Sequence, residues 1–178
     1  MKRSKIHIMG ASGSGTTTLG RALANYWSVP HADTDDYFWL PTDPPYVAKR
    51  AEHERLHLMR SLFLPRDAWV LSGSLFGWGE TVIEQCDAVI FLILDSEERL
   101  RRLEKREDIR RSDARFDEIS WNRFLEWAAG YDNPAFEGRS RAGHERRLEI
   151  VNKPVLRLDS AMPPDQLVDA ITNWKPSF

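Results

Sequence analysis

Short apolar runs alternate along the chain with longer stretches in which apolar residues recur at helical spacing. Ile6-His7-Ile8-Met9 reads as a short strand, and residues 17–27 as a helix with Leu19, Leu23, Tyr26 and Trp27 on one face. Pro30 stops that helix, and His31-Ala32-Asp33 reads as a second strand running into a polar loop. Pro41, Pro44 and Pro45 give residues 36–46 a loop character. Residues 48–63 return to a helical pattern that Pro65 closes. Residues 68–72 form a buried strand ending at Gly73, and residues 81–85 a short helix. Residues 88–94 are apolar at every position, as a strand covered on both faces requires. Asp95 or Ser96 then caps a charged helix reaching about Glu107, with Glu97 and Glu98 in its first turn. Helical patterns follow over residues 117–129 and 138–148, a last strand over 155–158 and a last helix over 164–174.

Five strands separated by helical segments predict an α/β fold: a five-stranded parallel sheet flanked by helices, in one domain spanning residues 1–178. Parallel strands need crossovers, which the helices supply. In such sheets ligands bind beyond the carboxyl ends of the strands. The segments Gly10 to Gly15, Asp33 to Asp36, Ser72 to Ser74, and Asp95 onward all follow strands, so they are expected to converge on one crevice.

Composition narrows the picture. A chain of 178 residues buries a core without disulfides or metals, and its lone cysteine, Cys86, suits a reducing compartment. No apolar run approaches the roughly 18 residues of a membrane span, and the basic start lacks the apolar region of a leader. A cytoplasmic location without membrane association is expected. The formal net charge of −2 does not describe a polyanion binder, and no nucleic-acid motif is present. Nucleic acid is therefore not an expected partner. The arginines are concentrated, however, between Arg99 and Arg115 and again between Arg139 and Arg147. Interspersed glutamates make solvated helix faces an equally good reading for most of them.

The chemistry centres on Gly10-Ala11-Ser12-Gly13-Ser14-Gly15-Thr16-Thr17-Thr18, between a strand and a helix. It follows the phosphate-loop pattern G-x-x-x-x-G-K-[ST] in its glycine spacing and in the hydroxyl of Thr17. Glycines let successive N–H groups turn inward toward phosphate oxygens, and the helix adds its positive end. The Thr17 hydroxyl is placed to ligate Mg²⁺. Gly10, Ser12, Gly13, Ser14, Gly15, Thr16, Thr17 and Thr18 are the expected nucleotide contacts. The departure is Thr16, which stands where the pattern has lysine. A hydroxyl replaces a charge-assisted hydrogen bond with a neutral one, costing ground-state binding about tenfold. Phosphoryl transfer, which needs charge neutralised in the transition state, is more exposed to the loss.

On these residues and the element order, the chain resembles the nucleoside-monophosphate kinase group of P-loop folds, including adenylate, shikimate and gluconate kinase-like proteins. The resemblance implies ATP, Mg²⁺ and phosphoryl transfer to a small-molecule acceptor. Those families carry the lysine, so Thr16 bears on catalysis more than on fold. The segment Asp33-Thr34-Asp35 is similar to the Asp-x-Asp of shikimate kinase-like proteins. Carried over, Asp33 orients the metal, and Asp35 accepts the acceptor's hydroxyl proton or orients the acceptor; helix capping is the simpler alternative for both. The resemblance also implies an arginine-bearing lid, here about residues 104–147, in which Arg106, Arg110 and Arg111 are the first candidates to replace the missing lysine charge. Arg139 and Arg141 are further candidates. Trp121, Phe124 and Trp127 read as a packed stripe, and His144 as structural. Ser72-Gly73-Ser74 permits a close approach, and Ser160 to Pro163 sits where this fold supports the adenine. Arg50, Arg55 and Arg60 either pair with an acidic acceptor or face water. Two functions remain: an ATP-dependent small-molecule kinase, or a nucleotide-binding protein with little or no transfer activity that serves as a regulator or partner-binding module.

Overall fold

A computed structural model describes residues 1–108 and 117–176. Five parallel strands, β1 (Lys5–Gly10), β2 (His31–Asp33), β3 (Trp69–Ser72), β4 (Ala88–Ile93) and β5 (Val155–Asp159), lie in the order β2-β3-β1-β4-β5. Eight α-helices are described: α1 (Thr16–Trp27), α2 (Thr34–Phe38), α3 (Glu52–Leu62), α4 (Glu80–Ile83), α5 (Ser96–Asp108), α6 (Glu118–Ala129), α7 (Arg141–Ile150) and α8 (Pro164–Asn173). Helix α1, which follows β1, packs on one face of the sheet, and α4, which follows the neighbouring strand β3, packs on the other. The phosphate loop thus opens at the point where the winding reverses, the place where such sheets bind ligands.

The strands show why their sequences lack a polar face. Ile6 and Ile8 of β1, Val70 of β3, and Ala88, Ile90 and Leu92 of β4 pack with Leu19, Leu23 and Trp27 of α1 and with Leu167 and Ile171 of α8. The alternate residues, Met9, Trp69, Leu71, Val89 and Phe91, point to a second core with Tyr37, Met59, Trp78 and Val82. A side-chain period of two therefore serves two apolar layers at once. Leu103, Trp121 and Ala128 form a smaller cluster where α5 meets α6. The expected stripe on α6 is present: the Trp121 and Phe124 rings lie 5.5 Å apart, and those of Phe124 and Trp127 6.0 Å.

Two boundaries differ most from the sequence reading. Residues 36–46 do not begin as loop, because α2 runs through Thr34–Phe38. The Asp33 carboxylate accepts from the Asp35 N–H at 3.1 Å and caps the helix. Helix α3 begins at Glu52 instead of 48, because Lys49 is bridged to Trp39, and the Arg50 N–H is held by the Phe38 carbonyl at 2.8 Å. Of the two capping candidates for α5, Asp95 does the work, accepting from the N–H groups of Glu97 and Glu98 at 2.9 and 3.2 Å.

Gly73 is fixed by both backbone and space. Its φ is 106°, and a Cβ there would sit 2.0 Å from the Thr34 hydroxyl oxygen. Gly73→Ala is expected to cost about 1–3 kcal/mol from the backbone alone, plus displacement of Thr34, read as a lowered urea midpoint. An unchanged midpoint would show that the β3 exit does not constrain the α2 start.

Candidate active site

The loop between β1 and α1 is shaped by glycine. Gly13 and Gly15 hold φ of 82° and 88°, in the left-handed region that side chains avoid. A Cβ on Gly10 would lie 2.8 Å from the Leu92 carbonyl, so β4 packs directly against the loop. Ser14 is fully buried and turned inward, its hydroxyl and its N–H both donating to the Ala11 carbonyl at 2.8 and 3.1 Å. Its contribution is loop shape. The Leu19 N–H bonds the Gly15 carbonyl at 3.0 Å and closes the first turn of α1. The N–H groups of Thr16, Thr17 and Thr18 therefore precede the helical ladder, and no acidic residue lies in that turn. These donors and the helix's positive end suit a phosphate.

Thr17 and Asp33 meet at the mouth of this loop. The Thr17 hydroxyl donates to Asp33 Oδ2 at 2.7 Å, and the Ser72 hydroxyl donates to the same oxygen at 3.3 Å. Ser72 in turn lies 2.9 Å from His31 Nε2. Helix α1 comes this close to β2 because residue 20 is glycine: a Cβ there would be 2.6 Å from His31 Nε2. A threonine hydroxyl beside a carboxylate is a hard-oxygen pair that fits Mg²⁺, which typically binds through one or two protein oxygens together with substrate phosphates. The residues present therefore fit the ion the resemblance implies.

Asp35 lies two residues on, exposed within the same crevice. The surrounding protein mass, then the Asp33 charge, raises its pKa above the ordinary carboxylate range, against the pull of Arg139 and Arg106. Asp36 is raised in the same way, by desolvation and by Asp33. The Asp33–Asp35–Asp36 trio thus concentrates negative charge in the crevice, and both cations that oppose it on Asp35 come from beyond β4.

The expected arginines fare differently. Arg106 is exposed on the last turn of α5, and its charge acts on Asp35. Arg110 and Arg111 lie outside the described residues. Arg139 reaches the phosphate loop itself: its Nη2 donates to the Ser12 hydroxyl oxygen at 2.6 Å, and its guanidinium lies 4.9 Å from the Trp127 ring centre. Arg99, fully buried, pairs with Asp132 at 2.5 Å, and its Nη1 makes a long contact of 3.5 Å with the Ser12 carbonyl. Arg102 is held by Glu98 at 2.8 Å and donates to the Ser160 carbonyl at 3.1 Å, linking α5 to the loop after β5. Ser72, Arg99 and Arg102 were not singled out from the sequence as site residues. Ser72 had only a weak small-residue signal, and the two arginines belonged to a cluster that reads equally well as solvated.

Arg50 and Arg55 are structural. Arg50 donates to the carbonyls of Tyr37 and Trp39 at 3.0 and 3.2 Å. Arg55 is buried, donates to the Arg50 carbonyl at 2.7 Å and lies over the rings of Phe38 and Trp78 at 4.0 and 5.1 Å. Arg60 is exposed. His144 is a core histidine as expected, though with a partner the sequence did not reveal, the Tyr131 hydroxyl at 2.9 Å. No helix among the described residues is long and apolar enough to cross a membrane.

Residues 6–120 match a family model described as an AAA domain. A protein of Bacillus subtilis (strain 168), the uncharacterized protein YqaC, is 35% identical over 178 residues, covering 97% of each chain. Among solved structures, a shikimate kinase from Bacteroides thetaiotaomicron superposes with a TM-score of 0.57 at 16% identity, over 94% of this chain and 96% of the other. A sugar kinase from Janibacter sp. HTCC2649 gives a TM-score of 0.54 at 19% identity, over 98% and 94%. At these identities the two kinases share the fold. A phosphate-loop strand-to-helix turn at the switch point of a five-stranded parallel sheet and the AAA-domain match agree: the chain belongs to the AAA-domain family of P-loop NTPases and has a P-loop kinase-like fold.

Proposed function

We propose that the chain is a Mg²⁺-dependent phosphotransferase that moves the γ-phosphoryl group of ATP to a hydroxyl of a small acceptor. The observation that carries this reading is the convergence of Thr17, Asp33 and Asp35 at the open end of the phosphate loop, with Thr17 bonded to Asp33 at 2.7 Å. A module that only bound nucleotide would need the loop but not a second carboxylate of raised pKa beside it.

The loop N–H groups and the start of α1 hold the phosphates. Thr17 and Asp33 would hold Mg²⁺, which supplies charge neutralisation across the phosphate oxygens when bound. Asp35 takes the proton from the acceptor hydroxyl; the acceptor oxygen bonds to the γ-phosphorus; the bond from that phosphorus to the β–γ bridging oxygen breaks, and ADP leaves. Arg106, Arg110 and Arg111 are proposed to lie in the lid, about residues 104–147, that closes over the phosphates. Arg102 and the Ser160 carbonyl it holds wall the side where the base is expected.

Thr16 favours a second reading, in which the nucleotide binds and little transfer follows, the protein serving as a regulator. Two measurements separate the readings. ATP titrated calorimetrically into the protein is expected to bind with a micromolar dissociation constant that weakens without Mg²⁺. No binding at millimolar ATP would end both readings. An acceptor screen for ADP release then decides between them, and binding without turnover on any small hydroxyl compound selects the regulator.

A further inference from the structure

We infer that Arg139 supplies the phosphate-loop cation that Thr16 omits. The inference rests on the nucleotide reading of the same site and adds a charge donor from a segment 127 residues away in sequence.

Among the described residues, three arginines approach the loop. Arg99 is fully buried and paired with Asp132, so its charge is already answered. Arg102 passes near Gly15, 3.9 Å from where a Cβ would stand, but the Glu98 carboxylate and the Ser160 carbonyl hold it. Arg139 meets a neutral hydroxyl, Ser12 Oγ, and the face of Trp127. Its Nε is buried without a hydrogen-bond partner among the described residues. The Asp35 carboxylate acts on it from across the crevice. A guanidinium keeps its charge when buried and carries five donors, of which the Ser12 contact uses one. The remaining donors and the charge are available to a terminal phosphate oxygen.

The position is held from behind. Ser140, the next residue, caps α7 by accepting from the Gly143 N–H at 3.2 Å. Asp132 is clamped between Arg99 at 2.5 Å and Arg141 at 2.6 Å. Arg99 also donates to the Ala128 carbonyl, tying the end of α6 to the loop. The Arg139 side chain is therefore aimed at Ser12 by three elements without a charge partner of its own in bonding range among those contacts. A lysine in the first turn of α1 would bring its cation from the helix side; here the cation comes from the α7 side onto the same loop.

The test is a square of proteins, wild type, Arg139→Gln, Thr16→Lys and the double variant, titrated calorimetrically with Mg²⁺ and either ATP or ADP. Arg139→Gln is expected to weaken ATP by about tenfold or more and ADP less, because one charge-assisted contact to the terminal phosphate is lost. In the double variant, Thr16→Lys is expected to restore most of the loss caused by Arg139→Gln. Equal loss for ATP and ADP with no rescue by lysine would assign Arg139 a packing role and overturn the inference. So would a tenfold gain from Thr16→Lys alone, which shows a loop lacking its cation and does not depend on the folding of any Arg139 variant. If wild-type protein binds no ATP, the nucleotide reading falls and takes this inference with it. Intact wild-type binding with Arg139→Gln unchanged sinks only the arginine.

Discussion

Asp35→Asn is expected to lower acceptor phosphorylation by about 10²–10⁴-fold while leaving Mg²⁺·ATP affinity within about twofold. The substitution is close to isosteric. It preserves the backbone N–H that bonds Asp33 Oδ1, so the cap of α2 and the Thr17–Asp33 contact stay in place. Only the ability to take a proton is removed. The pH profile sharpens the test. Desolvation by the surrounding protein mass and the neighbouring Asp33 charge raise the pKa of Asp35, and a protonated carboxyl cannot act as a base. Wild-type turnover should fall as pH drops through that raised value, and the acid limb should vanish in Asp35→Asn. ADP release with an acceptor found by screening, measured between pH 5 and 8, reads both effects. Retained turnover in Asp35→Asn would leave Asp35 as a residue of α2 and nothing more.

The second large effect concerns stability in acid. His7 on β1 is fully enclosed and bonds the Gly73 carbonyl at 3.0 Å through Nε2, so Nε2 carries the proton; Nδ1 has no partner among the described residues. His144 on α7 is equally buried, 2.9 Å from the Tyr131 hydroxyl and edge-on to Phe91, with its Nε2 unpartnered among the described residues. Both line one cavity of about 10 Å³ with Met9, Phe76 and Arg147, room for roughly a single water. Burial pushes His7 down to about 4, helped by Arg147. Burial, then Arg139 and His7, pushes His144 down to about 3.

The sign follows from proton counting. Between the unfolded histidine value of about 6.5 and these lowered values, the unfolded chain binds more protons than the folded one, so stability falls as pH falls through that window and is complete above it. At about 1.4 kcal/mol per unit, His7 alone is expected to account for about 3 kcal/mol between pH 6.5 and 4. Asp132 does not obscure this. Desolvation raises its pKa but its arginine hydrogen bonds lower it further, so its contribution is lost as pH falls from the ordinary carboxylate value downward, below the histidine window. Urea midpoints from pH 7.5 to 4.5 read the effect, with His144→Phe expected to flatten the dependence. A midpoint constant over that range would mean the two rings are not held neutral by the fold.

Much of this was legible in the sequence, and for a local reason in each case. Apolar runs at consecutive positions disclosed strands buried on both faces, since only such a strand needs no polar side. Gly10, Gly13 and Gly15 disclosed the loop, because no other residue takes their backbone or permits so close an approach to β4. The order of these elements disclosed that Thr17 and Asp33 would share a crevice. Helix α2 was missed because its five residues are too few to show a helical period, and its cap, Asp33, doubles as a site residue.

What the chain sets by itself is therefore local and periodic: the strands, the long helices, the glycine turn and the absence of a lysine in it. Tertiary structure alone decided which charge faces that turn. An arginine's side chain reaches far in several directions, and neither its spacing nor its neighbours state where it ends. Arg50 and Arg55 look as free as any in the sequence but are spent on carbonyls and aromatic rings. Arg139 looks remote and sits on Ser12. That assignment depends on α6, α7 and the Asp132 clamp folding back over the loop, a sum of long-range contacts that no window of sequence contains.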